Sequence, residues 1–345
     1  MKSIQHLLFL AILLLFSCGK EETPGPIDPP MIDPENGVLI SNEGGFGFNN
    51  ASLSFYQFDN QQLDQQLFAT VNGRQLGDVL QSITFHRDLL YLVVNNSNRI
   101  EIVDPQTFEL QNTIDTFNSP RYLLPIDNEK AYVSDLYEDA VYVVDLVNNR
   151  IRQQIVIQGW TEEMALFQDQ AFVTNRESDF VYVIDTNTDQ LVDSIQVGFN
   201  SNSILLDKND QLWVYCSGDS DSNQLGGLFR IDPSSNSVTF NLQFDDFDIG
   251  GWPRMAFNGN RDTLYYLKED LFQLPIDAAA LPTTPLVVQE DRIFYALGVR
   301  PSTGTIFLGD AIDYQQRGRM LQYDSQGRIL LDQVVGIIPN GFYFY

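Results

Sequence analysis

Histidine, cysteine and positive charge are what this chain has least of. It carries 2 histidines, 2 cysteines and 20 Lys plus Arg against 46 Asp plus Glu in 345 residues, a formal net charge of −26. A surface so acidic repels phosphate backbones and anionic headgroups, which argues against nucleic acid and against charge-driven membrane binding. Of the cysteines, Cys18 falls near the start and Cys216 stands alone, so no internal disulfide is expected. Once His6 is set aside with the leader, His86 is the one remaining histidine. A Ser-His or Cys-His catalytic pair would have to use it alone.

Long apolar runs are also missing, with one exception. Leu7 to Phe16 is apolar, follows a positive start at Lys2, and is too short to span a bilayer as a finished helix. It ends in Leu15-Phe16-Ser17-Cys18-Gly19, which resembles a bacterial lipoprotein box. That resemblance implies cleavage after residue 17 and acylation of Cys18. Lys20-Glu21-Glu22 resembles the export signal that carries lipoproteins to the outer face of the outer membrane. Residues 18–36 include "TPGPIDPPMIDPEN", whose prolines exclude helix and central strand and read as a semi-rigid tether.

Residues 37–345 contain a repeat. "IEIVDPQTFELQNTI", "VYVVDLVNNRIRQQI" and "VYVIDTNTDQLVDSI" each place a polar turn opened by Asp between two alternating runs, the pattern of a hairpin. With weaker copies the turn aspartates are Asp59, Asp104, Asp145, Asp185, Asp232, Asp277 and Asp324, spaced 40 to 47 residues apart. One further strand precedes each hairpin, and a second precedes six of those. Seven all-β units of that length predict a seven-bladed β-propeller with four-stranded blades. The first unit lacks its leading strand and the chain ends in a spare one, "IIPNGFYFY", so the C-terminal strand should close the ring. The recurring aspartates are expected to cap type I turns rather than to catalyse.

Up-down-up-down strands put inner-strand starts and second-strand ends on one face. That face gathers Asn42, Glu43, Phe46, Asn95, Asn96, Arg121, Tyr122, Asp135, Tyr137, Trp160, Glu162, Asn175, Arg176, Ser203, Trp252, Arg254 and Tyr314. Donors, acceptors and flat rings around a channel mouth make it the expected binding face. The loop "NEGGFGFNN" lies there too, with no helix after it to make a phosphate cradle. Its glycines either let the backbone approach a ligand or form a plain turn with Phe46 tucked into the neighbouring blade. Asp219, Asp221 and Asn223 alternate like the start of a calcium loop, although Gln224 and Arg230 stand where glycine and the closing glutamate belong.

"NEGGFGFNNASLSFY", "NGRQLGDVLQSITFH", "LVVNNSNRIEIVD", "SPRYLLPIDNEKAYVSDLY", "VIDTNTDQLVDSIQVG", "LLDKNDQLWV" and the terminal "PNGFYFY" together resemble surface-exposed propeller lipoproteins that capture vitamin B12. The broader likeness is to lactonase-like and YncE-like seven-bladed propellers. The resemblance implies a lipid-anchored protein that binds cobalamin without a resident cofactor and delivers it to a TonB-dependent outer-membrane transporter. On that reading the amides and Ser203 serve the corrinoid's amide edge, the aromatics its flat faces, and the three arginines its phosphate. A propeller hydrolase of the lactonase type, or capture of another large ligand such as a siderophore, are the alternatives. The mixture of arginines with Glu43, Asp135, Glu162 and Glu163 suits a strongly anionic siderophore less well.

Overall fold

In a computed structural model of the chain, residues 32–245, 247 and 254–345 are described. The leader, Cys18, most of the tether and Trp252 lie outside them. Pro34–Asn36 is a 3-10 turn that leads into the first strand at Gly37.

Seven antiparallel sheets follow in chain order and form a β-propeller. The strands next to the inner ones, such as Gly37–Asn42 and Lys130–Asp135, are almost wholly buried because both of their faces meet neighbouring sheets. Their β-branched, near-continuous apolar sequences suit that environment. The outermost strands show the opposite. In Gln190–Gln196 only Ile195 is buried. The core is therefore a set of slabs between blades. One slab packs Leu53 and Phe55 of blade one on Leu90, Leu92 and Phe108 of blade two.

The ring closes as the sequence requires. Pro339–Tyr343 is the inner strand of blade one and pairs with Gly37–Asn42, with Leu39 opposite Tyr343 and Ile40 opposite Phe342. Turn aspartates Asp104, Asp145, Asp185, Asp232 and Asp324 each accept a backbone N–H from two residues ahead. In blade one that role passes to Asn60, which accepts from Gln62, while Asp59 accepts from the Asn36 side chain.

Two blades depart from the regular pattern. The expected outer strand of blade one shrinks to Leu63–Asp64, and the chain then forms a short helix, α1 (Leu67–Asn72). Leu67 and Phe68 bury themselves between blades one and two, which an outer strand would have left in water. Among the described residues blade six has three strands, and its fourth is reduced to a single bridge between Leu271 and Val287. Pro282 and Pro285, shortly before Val287, lack the N–H that a longer ladder would use.

Candidate functional site

The inner strands share a feature that builds the centre of one face. Near their first residues the register slips, at Leu80/Ser82, Pro120/Leu123, Thr161/Met164, Ser201/Ser203 and Phe294/Ala296. The closing strand slips likewise, opposite Ser41/Asn42. A bulge leaves a residue unpaired and re-aims its side chain. The residues so released are Gln81, Arg121 with Tyr122, Glu162 with Glu163, Asn202, Tyr295 and Asn340. Blade six contributes Arg254, directly before Met255–Phe257. Every blade thus sends at least one polar side chain to the channel mouth.

These side chains bond to one another. Arg121 holds Glu162 through Nε at 2.8 Å and Nη2 at 2.6 Å, and Nη1 donates to Gln81. The Trp160 indole N–H donates to the same carboxylate at 2.6 Å. The Arg176 guanidinium lies 4.4 Å from the Trp160 ring centroid and donates to Asn200 at 3.1 Å. Glu163 accepts from the Ser203 hydroxyl at 2.7 Å and from Ile204 N–H at 3.2 Å. Glu43 accepts from Asn340 at 3.0 Å and from the Tyr295 hydroxyl at 3.2 Å. Arg254 donates from Nη1 to the Tyr122 hydroxyl at 3.2 Å.

Three guanidinia and three carboxylates therefore share the floor, and burial sorts the acids. Burial raises the Glu43 carboxyl above its ordinary range, against the pull of Arg121 and Arg254. Glu163 is raised for the same first reason, opposed by Arg254 and by its bond from Ser203. At Glu162 burial is again the largest influence, but the charge and hydrogen bonds of Arg121, with Arg176 and Trp160, bring the group below its usual value. Tyr122 and Tyr295 are both raised, first by burial.

Above this floor lies a cavity of about 180 Å³, whose walls include Glu43, Phe46, Asn95, Arg121, Trp160, Arg254 and Tyr295. The rim is aromatic. Phe46, Phe48, Tyr137 and Tyr314 are 73%, 77%, 70% and 39% exposed, all on loops between second and third strands. Tyr314 packs edge-on against Tyr295, with centroids 5.7 Å apart.

The expected residues divide accordingly. Glu43, Phe46, Asn95, Arg121, Trp160 and Arg254 line the cavity, while Tyr122, Glu162, Arg176 and Ser203 join the network beneath or beside it. Tyr137 and Tyr314 stand on the rim. Several amides expected to meet a ligand instead hold the scaffold. Asn42 is buried and donates to Ser52 O and Ser54 Oγ. The Asn95 amide donates to Pro120 O, and that of Asn175 to Gln158 O. Asn96 donates to Asp78, and Asp135 accepts from Ser119, Tyr137 and Glu138 N–H groups. Arg121, engaged with Glu162 and Gln81, has no free edge for a phosphate.

"NEGGFGFNN" resolves as a pinned turn on this face. Gly47 N–H donates to Asp78 at 2.7 Å and Gly45 N–H to Asn50 at 2.8 Å. Phe46 is not tucked into a neighbouring blade. The Asp219 loop is a turn too, held by its own first carboxylate. One Asp219 oxygen accepts from Asp221 N–H, the other from Ser222 N–H and hydroxyl. Tyr295, Glu163, Gln81 and Asn340 carry much of the site. Their shared signal is position, at the start of an inner strand.

Fold and face define a seven-bladed β-propeller with a polar, charge-balanced recess at one mouth. By a family model matching residues 36–309, the chain belongs to the family described as "Domain of unknown function (DUF5074)". No curated protein matches it. Among solved structures it is similar to a quinonprotein alcohol dehydrogenase-like protein from Bacteroides thetaiotaomicron, at 14% identity and TM-score 0.71, covering 90% of this chain and 78% of that one. A functionally unknown protein from Desulfotomaculum acetoxidans matches at 12% identity and TM-score 0.67, over 89% and 98%. The dihydro-heme d1 dehydrogenase NirN, in complex with DHE, matches at 10% and TM-score 0.61, over 92% and 77%. At such identities these likenesses speak to the fold alone.

Proposed function

We propose that this is a lipid-anchored protein of the outer-membrane surface that binds a corrinoid across the recessed face and passes it to a TonB-dependent transporter. The observation that carries the reading is the aromatic rim. Among the described residues, four of the five exposed Phe and Tyr side chains singled out as large and apolar sit on this one face. Flat rings around a neutral recess suit a large, disc-shaped ligand with a polar edge. The cavity is far too small to enclose a corrinoid, so the disc lies on the rim and sends only part of itself inward. With Asn42, Asn96 and Asn175 tied into the scaffold, its edge is met by cavity-wall groups such as Gln81, Asn95 and Arg254 and by backbone groups of the rim loops. Lipid attachment at Cys18 and the transporter partner rest on the resemblance in the sequence.

A hydrolytic reading finds less support. His86 ends the inner strand Leu80–His86 at the far side from the recess. Cys216 is fully buried, and burial pushes its thiol up.

Calorimetric titration with cyanocobalamin tests the proposal. Saturable one-to-one binding is expected. Phe46→Ala and Tyr137→Ala should each weaken it by about 1 kcal/mol, roughly fivefold, while His86→Ala leaves it unchanged. Absence of binding, or a tenfold loss in His86→Ala, would reject the reading.

A further inference from the structure

Donors and acceptors on the recess floor are not equally satisfied. Glu43 accepts from Asn340 and Tyr295, Glu163 from Ser203 and Ile204, and Glu162 from Arg121 and Trp160. The acceptor side is occupied. Arg254 is different. Its hydrogen bond runs from Nη1 to the Tyr122 hydroxyl, a neutral partner. Its Nε is buried with no hydrogen-bond partner. Among the described residues no carboxylate comes within 4.0 Å of it. Glu43 and Glu163 act on its charge from beyond ion-pair distance, but neither accepts from Nε, and a buried N–H without an acceptor is costly.

The orphaned edge has a definite shape. With Nη1 on Tyr122, the remaining side of the planar fork is Nε together with Nη2. That pair presents two parallel N–H groups and matches two oxygens of one oxyanion. A neutral amide carbonyl supplies one oxygen and no charge, so it satisfies half of the edge. Arg254 also lines the cavity, and a ligand group coming from there reaches the buried Nε by shifting the side chains that cover it.

We infer that Arg254 is an oxyanion subsite: the Nε–Nη2 edge receives a carboxylate or phosphate group of the ligand, bound side-on at the floor of the recess. This deepens the capture reading by naming what the inward-pointing part of the ligand carries. It does not require that ligand to be a corrinoid. The neighbouring charges fit such a group. Arg121 and Arg176 stand on the same floor, Glu162 is neutralised by Arg121, and Glu43 and Glu163 already spend oxygens on protein donors. Repulsion from those two acids would favour their protonated forms when the anion is present.

Small anions test this apart from the large ligand. Thermal unfolding of the full chain is followed at constant ionic strength in sodium chloride, sodium acetate and sodium phosphate. Phosphate stabilises most proteins by general exclusion from their surfaces, which grows steadily with concentration. A subsite instead gives a rise that saturates. The expected result is a saturating rise with acetate, phosphate or both, and its loss in Arg254→Gln. Response to acetate alone assigns a carboxylate, and response to phosphate alone a phosphate. Arg254→Lys keeps the charge without the fork, so its saturation should move to roughly tenfold higher anion, about 1.4 kcal/mol. This variant decides the matter if Arg254→Gln does not fold. Equal responses in wild type and variant, or no saturating rise in either anion, would overturn the subsite. If cyanocobalamin still binds in that case, the capture reading stands without it.

Discussion

Arg121 and Glu162 form a side-on, two-bond ion pair between blades three and four, with side chains 6% and 2% exposed. Trp160 adds a third donor to the carboxylate. Glu162→Gln keeps the shape but leaves a guanidinium buried without its counter-charge. A loss of about 3–5 kcal/mol in urea unfolding is expected. Replacing both residues by methionine should recover most of it, because neither charge then has to be desolvated. A single-variant loss below about 1 kcal/mol would mean that the pair behaves as a solvated surface bridge.

Two glycines of the rim loop separate backbone strain from crowding. Gly44 and Gly47 both lie in the left-handed region, at φ +78° and +82°. A Cβ on Gly47 would meet open space, whereas one on Gly44 would fall 2.5 Å from Asn50 Oδ1 and 2.7 Å from Ala51 N. Gly47→Ala should therefore cost about 1 kcal/mol from φ alone. Gly44→Ala should cost at least twice that and loosen the loop that carries Phe46. Equal losses in chemical denaturation would show that the Gly44 turn relaxes freely.

What could be read from the sequence is what repeats or alternates. Hairpin turns are local, so an Asp at the turn recurs from blade to blade and gives the blade count. Ring closure followed from a surplus strand at one end and a missing one at the other. Strand direction alone placed Glu43, Arg121, Trp160 and Arg254 on one face. The floor was less legible because its residues do not repeat. Asn340, Gln81, Arg121, Glu162, Asn202, Arg254 and Tyr295 occupy equivalent places with different chemistry, and the bulges that aim most of them inward depend on pairing between strands. Nor does sequence reveal that Asn42, Asn95 and Asn175 are spent on backbone groups. Leu67 and Phe68 end the run read as an outer strand, yet burial between two blades outweighs pairing at an exposed edge.

Glu43 and Glu163 should make stability fall as pH rises. For both, the folded protein holds its proton to a higher pH than the unfolded chain does. Between the ordinary carboxylate value and the raised folded one, the native state binds more protons, so its advantage shrinks with increasing pH. Glu162 and Asp145 are shifted the other way, and their contribution is lost as the solution becomes more acidic. Glu43→Gln keeps an acceptor for Asn340 and Tyr295 but cannot ionise. Its stability relative to wild type should rise in denaturant melts as pH climbs above the ordinary carboxylate range. A difference independent of pH would show that Glu43 ionises as it does in the unfolded chain.

Ring closure makes the last strand disproportionately important. Pro339–Tyr343 is the inner strand of blade one, and Asn340 ties it to blade two by donating to Leu80 O at 3.1 Å and Gln81 O at 2.9 Å. Ser41 Oγ donates to the Asn340 side-chain oxygen Oδ1, and Phe342 packs on Phe307 of blade seven with centroids 5.6 Å apart. Deleting residues 339–345 would remove one strand and also open the contacts of blade one with both neighbours, exposing an inner edge of unpaired N–H and C=O groups. The truncated chain should lose its single cooperative unfolding transition and aggregate on size-exclusion chromatography. A peptide spanning 337–345, added in trans, should restore the monomer by adding the missing strand. Phe342→Ala, which keeps every backbone bond, should cost about 3–5 kcal/mol and leave the ring closed. A truncated chain that remained monomeric and cooperative would show that the other six blades hold the ring without its clasp.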